Sequence, residues 1–240
     1  MEQLAVWVAV FLGGIVSGFA GFAFSAVAGA ILLHFLAPML AVPLMMSCTI
    51  VSQLTTLTAL RRFIDWREAV PMIVGGVAGL PIGLGLLMLA QPAAYRIAFG
   101  VCLVGYALYM LIKRPSWSFA SIAGPRLHSA VGFAGGLVGG FTAMPGALPV
   151  IWCELRGLPR ERQRGVVQPF ILGMQVLAMV VLAGSSSVAG DELWRYTLLA
   201  LPALAAGVFI GFLLFARLDQ QRFRAVVLWL LVGSGLLMAM

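Results

Sequence analysis

The residues able to do chemistry in this chain are few and mostly uncharged. Gly14, Gly18 and Gly21 are followed by Phe22, Phe24 and Ser25, while Gly132, Gly136 and Gly139 are followed by Gly140, Thr142, Met144, Pro145 and Gly146. Glycine lets backbone approach a ligand closely, and a helix that begins at such a break offers free N–H groups and the positive end of its dipole. Ser25 and Thr142 add hydroxyl donors. This set suits an anion. The eight carboxylates, Glu2, Asp65, Glu68, Glu154, Glu161, Asp191, Glu192 and Asp219, all lie in polar connections or at a chain end. A proton pump or cation exchanger needs an ionisable group inside an apolar segment. Catalysis finds little support. Ser17-Gly18 has no G-x-S-G setting and no histidine that pairs with it, no His/Cys/Asp cluster suits a metal, and no G-x4-G-K-[ST] loop holds a nucleotide. Cys48, Cys102 and Cys153 stand far apart without a C-x-x-C and read as small packing residues. No enzyme activity, cofactor or metal is therefore expected.

The elements that position these residues must be membrane helices. Of the 240 residues 62% are hydrophobic and only 10% charged, where a soluble domain carries about 25% charged residues. Mean hydropathy is +1.06. Eight continuous apolar segments, 4–33, 39–60, 69–90, 95–112, 127–153, 166–184, 196–216 and 223–240, set the organisation. Continuous runs exclude a β-barrel, whose strands alternate. The net charge of +7 does not mark a nucleic-acid binder, because the basic residues fall between the segments or at the very start of one. That is the pattern of cytoplasmic loops.

The chain repeats itself. Besides the two glycine motifs, Trp66-Arg67 matches Trp194-Arg195, Gly75-x3-Gly79 matches Gly207-x3-Gly211, and Tyr95-Arg96 matches Phe223-Arg224. Two repeats, 1–114 and 115–240, follow. Their orientation can be argued from charge. If all eight segments cross, the two sides of the membrane receive 7 and 8 basic residues, which is no asymmetry. If segments 1 and 5 enter and return on one side, the split becomes 13 against 2. These two are the longest segments and the richest in mid-segment glycine. Each is expected to form two half-helices around a buried turn, at Gly18–Gly21 and Gly140–Met144, with Pro145 opening a new helix. The fold class is an all-α membrane protein. Each repeat has one glycine-rich broken or re-entrant helix plus three spans, in inverted topology, with both termini extracytoplasmic. Internal duplication of this kind is common in transporters.

Three stretches carry a family resemblance. Gly14-Ile-Val-Ser-Gly18-Phe-Ala-Gly21-Phe-Ala-Phe-Ser25 looks like the first glycine motif of the sulfite exporter TauE/SafE family. Gly136-Leu-Val-Gly139-Gly140-Phe-Thr-Ala-Met-Pro145-Gly146-Ala-Leu-Pro149 resembles its second-half motif, and the Glu154–Arg162 loop is also similar. The chain departs from the commonest first motif, a run of three glycines, by having Phe22-Ala23-Phe24. The resemblance implies transport of a small sulfur-containing anion, such as sulfite, a sulfonate or sulfoacetate, across the cytoplasmic (inner) membrane. The departure leaves the particular substrate open.

The substrate is expected at half-helix N-termini near the midplane, facing each other across a pseudo-two-fold axis. Gly18, Gly21, Ser25, Gly139, Gly140, Thr142, Pro145 and Gly146 would serve its head group, and Phe22, Phe24 and Met144 an apolar tail. Gln53 and Gln175, at matching places in the two repeats, line the pathway or bond between helices; Gln168 poses the same question. Gly75, Gly79, Gly83, Gly207 and Gly211 read as helix-packing residues. His34 and His128 read as interfacial, with proton coupling the competing role. Arg61, Arg62, Arg156 and Arg164 read as topology determinants, with an anion-attracting funnel as the competing role. The expected partners are the substrate anion and the lipid bilayer, with no nucleic acid; a coupling proton or Na+ and a homodimer stay open. The alternative function is a transporter or channel for another small organic anion.

Overall fold

The computed structural model describes residues 2–21, 23–112, 124–184, 190–217, 228–229, 231–233 and 235–236. Regular structure among the described residues is helical: α1 (Glu2–Ala20), α2 (Phe24–Phe35), α3 (Pro38–Leu60), a short 3-10 turn (Arg61–Phe63), α4 (Trp66–Leu89), α5 (Pro92–Ile112), α6 (Pro125–Thr142), α7 (Ala147–Leu155), α8 (Arg160–Gly184) and α9 (Gly190–Arg217). Six of these are long and apolar enough to cross a membrane: α1, α3, α4, α5, α8 and α9. The chain is a multi-pass α-helical membrane protein. The eighth apolar segment and the Phe223-Arg224 match lie largely outside the described residues.

Local signals account for the helix starts. Pro38, Pro92 and Pro125 open α3, α5 and α6, where a missing N–H costs nothing and the fixed φ suits a first helical residue. Asp65 caps α4, its carboxylate accepting from the Arg67 N–H at 3.2 Å.

Segments 1 and 5 are each broken into two helices, later than the glycines suggest. The first break is at Gly21–Ala23 and the second at Ala143–Gly146. Pro145 does not open the second helix but sits in the turn, with Gly146 as the N-cap and Ala147 as the first helical residue. In each case the later helix folds back along the earlier one. A Cβ on Gly13 would touch Phe24 and Ala28 of α2, and one on Gly135 would touch Pro149 of α7. The His128 ring of α6 stands edge-on to Trp152 of α7, centroids 6.1 Å apart.

Glycine seams hold these hairpins to the spanning helices. Gly75, Gly79 and Gly83 of α4 interlock with Gly132, Gly136 and Gly140 of α6; a Cβ on any of them would run into backbone of the opposite helix. Gly14 and Gly18 of α1 interlock in the same way with Gly207 and Gly211 of α9. Gly14 faces the Leu204 carbonyl where Gly136 faces that of Gly76, and Gly18 faces Val208 where Gly140 faces Leu80. Close backbone approach replaces the hydrophobic drive that lipid does not supply. Inside, Met45, Met46, Phe170 and Met174 are buried in the core. Outside, Leu4, Trp7, Val74, Leu89, Val101, Val180 and Phe209 are exposed, an apolar surface suited to lipid chains.

Candidate functional site

The two breaks share one construction. At the first, Gly21 takes φ +87°, a left-handed conformation that glycine reaches without Cβ strain. Its N–H closes the last turn of α1 on the Ser17 carbonyl at 2.7 Å. Its own carbonyl accepts from Gln53 Nε2 of α3 at 2.8 Å. At the second, Ala143 is left-handed at φ 57°, a conformation that costs an L-residue about 1–2 kcal/mol. Its N–H bonds the Gly139 carbonyl at 2.8 Å, and its carbonyl accepts from Gln175 Nε2 of α8 at 2.9 Å. Each carbonyl lies 32 residues before the glutamine that binds it. The counterpart of Gly21 is therefore Ala143, four residues beyond Gly139, which corrects the pairing that the bare glycine spacing suggests.

Each break leads into a helix N-terminus without a side-chain cap. Neither Ala23, which precedes α2, nor Gly146, which precedes α7, supplies a side-chain cap. The N–H groups of a first helical turn have no partner within the helix. Two uncapped positive dipole ends thus lie inside the protein.

The two breaks are staggered. A Cβ on Gly21 would sit 3.0 Å from Gln168 Nε2, whereas Gln175, seven residues further along α8, holds the second break. Seven helical residues rise about 10 Å. Tyr95, near the start of α5, donates to the Phe141 carbonyl at 2.8 Å, beside the second break. The hairpin tips reach towards opposite ends of the molecule and overlap in depth.

The structure places the expected site residues as follows. Ser25 is buried at the start of α2, 3.4 Å from Thr49 Oγ1, and Ser17 meets Ser52 at 2.8 Å. Thr142 Oγ1 donates to the Val138 carbonyl of its own helix at 2.6 Å. Phe24, Met144, Pro145 and Gly146 are buried around the breaks. Gly18 and Gly140 lie inside helices on the packing seams, and a Cβ on Gly139 would meet Pro145 of its own turn. Phe22 lies outside the described residues.

Two groups that read as topology markers take other positions. Arg164, four residues into α8, donates from Nη2 to the Phe19 carbonyl at 2.6 Å and lies beside Gly21. Arg156 is buried and pairs bidentately with Glu68, Nη1 to Oε2 at 2.6 Å and Nη2 to Oε1 at 2.9 Å. His128 is buried at the start of α6. Its Nδ1 donates to the Gly124 carbonyl at 2.8 Å, which leaves Nε2 to accept from Arg156 Nη1 at 3.1 Å. Hydrogen bonding to Glu68 lifts the Arg156 pKa above its ordinary value, against burial, which lowers it. This tie joins the starts of α4 and α6 to the end of α7. A signal for the Arg164 role was present in the sequence: Arg164, Gln168 and Gln175 fall on one face of a helix.

A family model described as Sulfite exporter TauE/SafE matches residues 6–238, nearly the whole chain. No curated protein and no solved structure matches it.

Proposed function

The chain belongs to the sulfite exporter TauE/SafE family, and from that membership we propose that it is a secondary transporter moving a small sulfur-containing anion, such as sulfite, a sulfonate or sulfoacetate, across the inner membrane. The family is one of membrane transporters of sulfur compounds. The observation that carries the finer reading is the pair of helix breaks, each left-handed, each held by a buried glutamine, each followed by an uncapped helix N-terminus. A broken helix inside a membrane needs a protein-lined cavity, and its N-terminus favours an anion there. The anion sits between the two hairpin tips, with Ser25 and the first turns of α2 and α7 around it. Both hairpins are re-entrant, and the two halves, 1–114 and 115–240, are inverted repeats. The matched glycine seams and the matched glutamine clamps support that symmetry. Uphill movement is driven by a coupling proton or Na+.

Reconstitution into proteoliposomes tests this reading. Labelled sulfite or a labelled sulfonate should accumulate against its gradient when a proton or Na+ gradient is imposed, and trapped cold anion should drive exchange. Flux that only ever runs down its gradient, without exchange, would make the protein a channel. Equal flux of an organic cation of similar size would remove the anion site.

A further inference from the structure

The first break holds groups that the second does not. Gln168 is 1% exposed, and both its amide atoms, Nε2 and Oε1, lack a hydrogen-bond partner. Its Nε2 points at the turn, since it lies 3.0 Å from where a Gly21 Cβ would stand. Gln53 spends its Nε2 on the Gly21 carbonyl and leaves its Oε1 buried without a partner. Arg164 brings a guanidinium to the same place: Nη2 holds the Phe19 carbonyl, and Nε lies 3.3 Å from the Gly21 Cβ position. The uncapped N-terminus of the 12-residue helix α2 completes the set. On α3, at the positions that stand before Gln53 as Gln168 and Arg164 stand before Gln175, are Met46 and Val42, both buried and apolar.

A buried amide with no partner is destabilising, so a site that keeps one has a ligand in view. The ligand's charge follows from the groups present. One guanidinium and one dipole end favour a negative charge. Two orphan carbonyl oxygens, on Gln53 and Gln168, repel a second negative charge and accept from an O–H or from a water carried in with the ligand. We infer that Arg164, Gln168 and the first turn of α2 form the head-group subsite of the transporter, and that the subsite takes a singly charged oxyanion in preference to a doubly charged one. This rests on the transport reading above. It makes Arg164 a binding residue and gives the two breaks unequal roles: the first holds the charge, the second shapes the apolar side.

The experiment uses full-length protein in proteoliposomes and in detergent. Sulfite flux is measured for wild type, Arg164→Met, Arg164→Lys, Gln168→Leu and, as a charge-loss control, Arg162→Gln, whose side chain is 55% exposed and pairs with Asp65. Methanesulfonate and sulfate serve as a singly and a doubly charged competitor. Arg164→Met and Gln168→Leu should each raise KM about tenfold or more, the scale of a lost charge-assisted hydrogen bond. Arg164→Lys should recover part of that loss, and Arg162→Gln should match wild type. Methanesulfonate should compete and sulfate should not. If Arg164 is only a cap on α1, Arg164→Met will lower Tm while KM stays at the wild-type value; that result overturns the subsite and leaves the transport reading standing. Competition by sulfate as strong as that by methanesulfonate overturns the charge selectivity. If wild type moves no sulfur oxyanion, the transport reading falls, and thermal shift with methanesulfonate, nitrate and acetate then judges the subsite alone: a rise in Tm that vanishes in Arg164→Met upholds it, and no rise with any probe overturns it.

Discussion

Gly21 shows how much one backbone conformation carries. Its left-handed φ ends α1, turns its carbonyl to Gln53 and leaves no Cβ between Gln168 and the turn. An alanine here meets a left-handed penalty of about 1–2 kcal/mol and crowds Gln168 and Arg164 by a few tenths of an ångström. Gly85, inside α4, has nothing within 4 Å of its Cβ position. Alanine there removes only glycine's helix penalty, about 1 kcal/mol. Gly21→Ala should therefore lower Tm and transport per folded molecule, while Gly85→Ala should hold or raise Tm at unchanged transport. Melting curves with flux normalised to monodisperse protein compare them; equal behaviour of the two variants would mean that the first break tolerates a side chain and does not need glycine. The sequence alone could not separate these glycines. It grouped Gly18, Gly21, Gly139 and Gly140 as one set, yet three of the four face backbone or the turn's own proline. Spacing shows which glycines share a helix face but not what lies opposite.

At the scale of elements, the buried Glu68–Arg156 pair fixes the α6–α7 hairpin to the start of α4. With side chains 7% and 13% exposed, the pair lies in a low-dielectric setting, and His128 takes a further Arg156 N–H. Removing one charge strands the other, a change that costs about 3–5 kcal/mol, whereas replacing both with apolar groups of similar volume is often nearly neutral. Arg156→Met and Glu68→Leu should each lower Tm strongly, and the double variant should recover most of the loss. A thermal double-mutant cycle reads this directly; additive losses would show that the two side chains act independently. Here the sequence was only partly legible. Broken helices in segments 1 and 5 follow from glycine content, and in segment 5 from charge balance as well. Their positions do not, because each break falls where a glutamine 32 residues away captures a carbonyl. The same holds for Arg156: a basic loop residue satisfies the positive-inside pattern whether or not it folds inward onto a carboxylate.

For the whole molecule, the ion pairs decide which ends lie together. Arg156 with Glu68, Arg162 with Asp65, and the Asp65 N–H on the Gly165 carbonyl gather the starts of α4, α6 and α8 and the end of α7 at one end of the structure. Because His128 and Arg156 meet, the α6–α7 hairpin leaves from the end it entered. This end carries the polar connections Arg61–Glu68 and Glu154–Arg164, which belong to the basic-rich side of the 13-to-2 division of charge. The positive-inside rule predicts that this end is cytoplasmic and that the Ala90–Gln91 connection, between α4 and α5, lies outside. Under the proposed re-entrant hairpins each half makes an odd number of crossings, which predicts inverted halves and two extracytoplasmic termini. Arg62 and Gln91 are both exposed and suit labelling. In a variant whose native cysteines are replaced, a cysteine at position 62 should react with an impermeant maleimide only after the cells are opened, and one at position 91 in intact cells. A tag at either terminus should be reached from outside. If positions 62 and 91 react from the same side, α4 does not cross and this topology fails. If the two termini fall on opposite sides, one hairpin must cross the membrane after all and the inverted repeat is lost; a crossing by segment 5 returns the charge division to 7 against 8, whereas a crossing by segment 1 leaves it at 13 against 2.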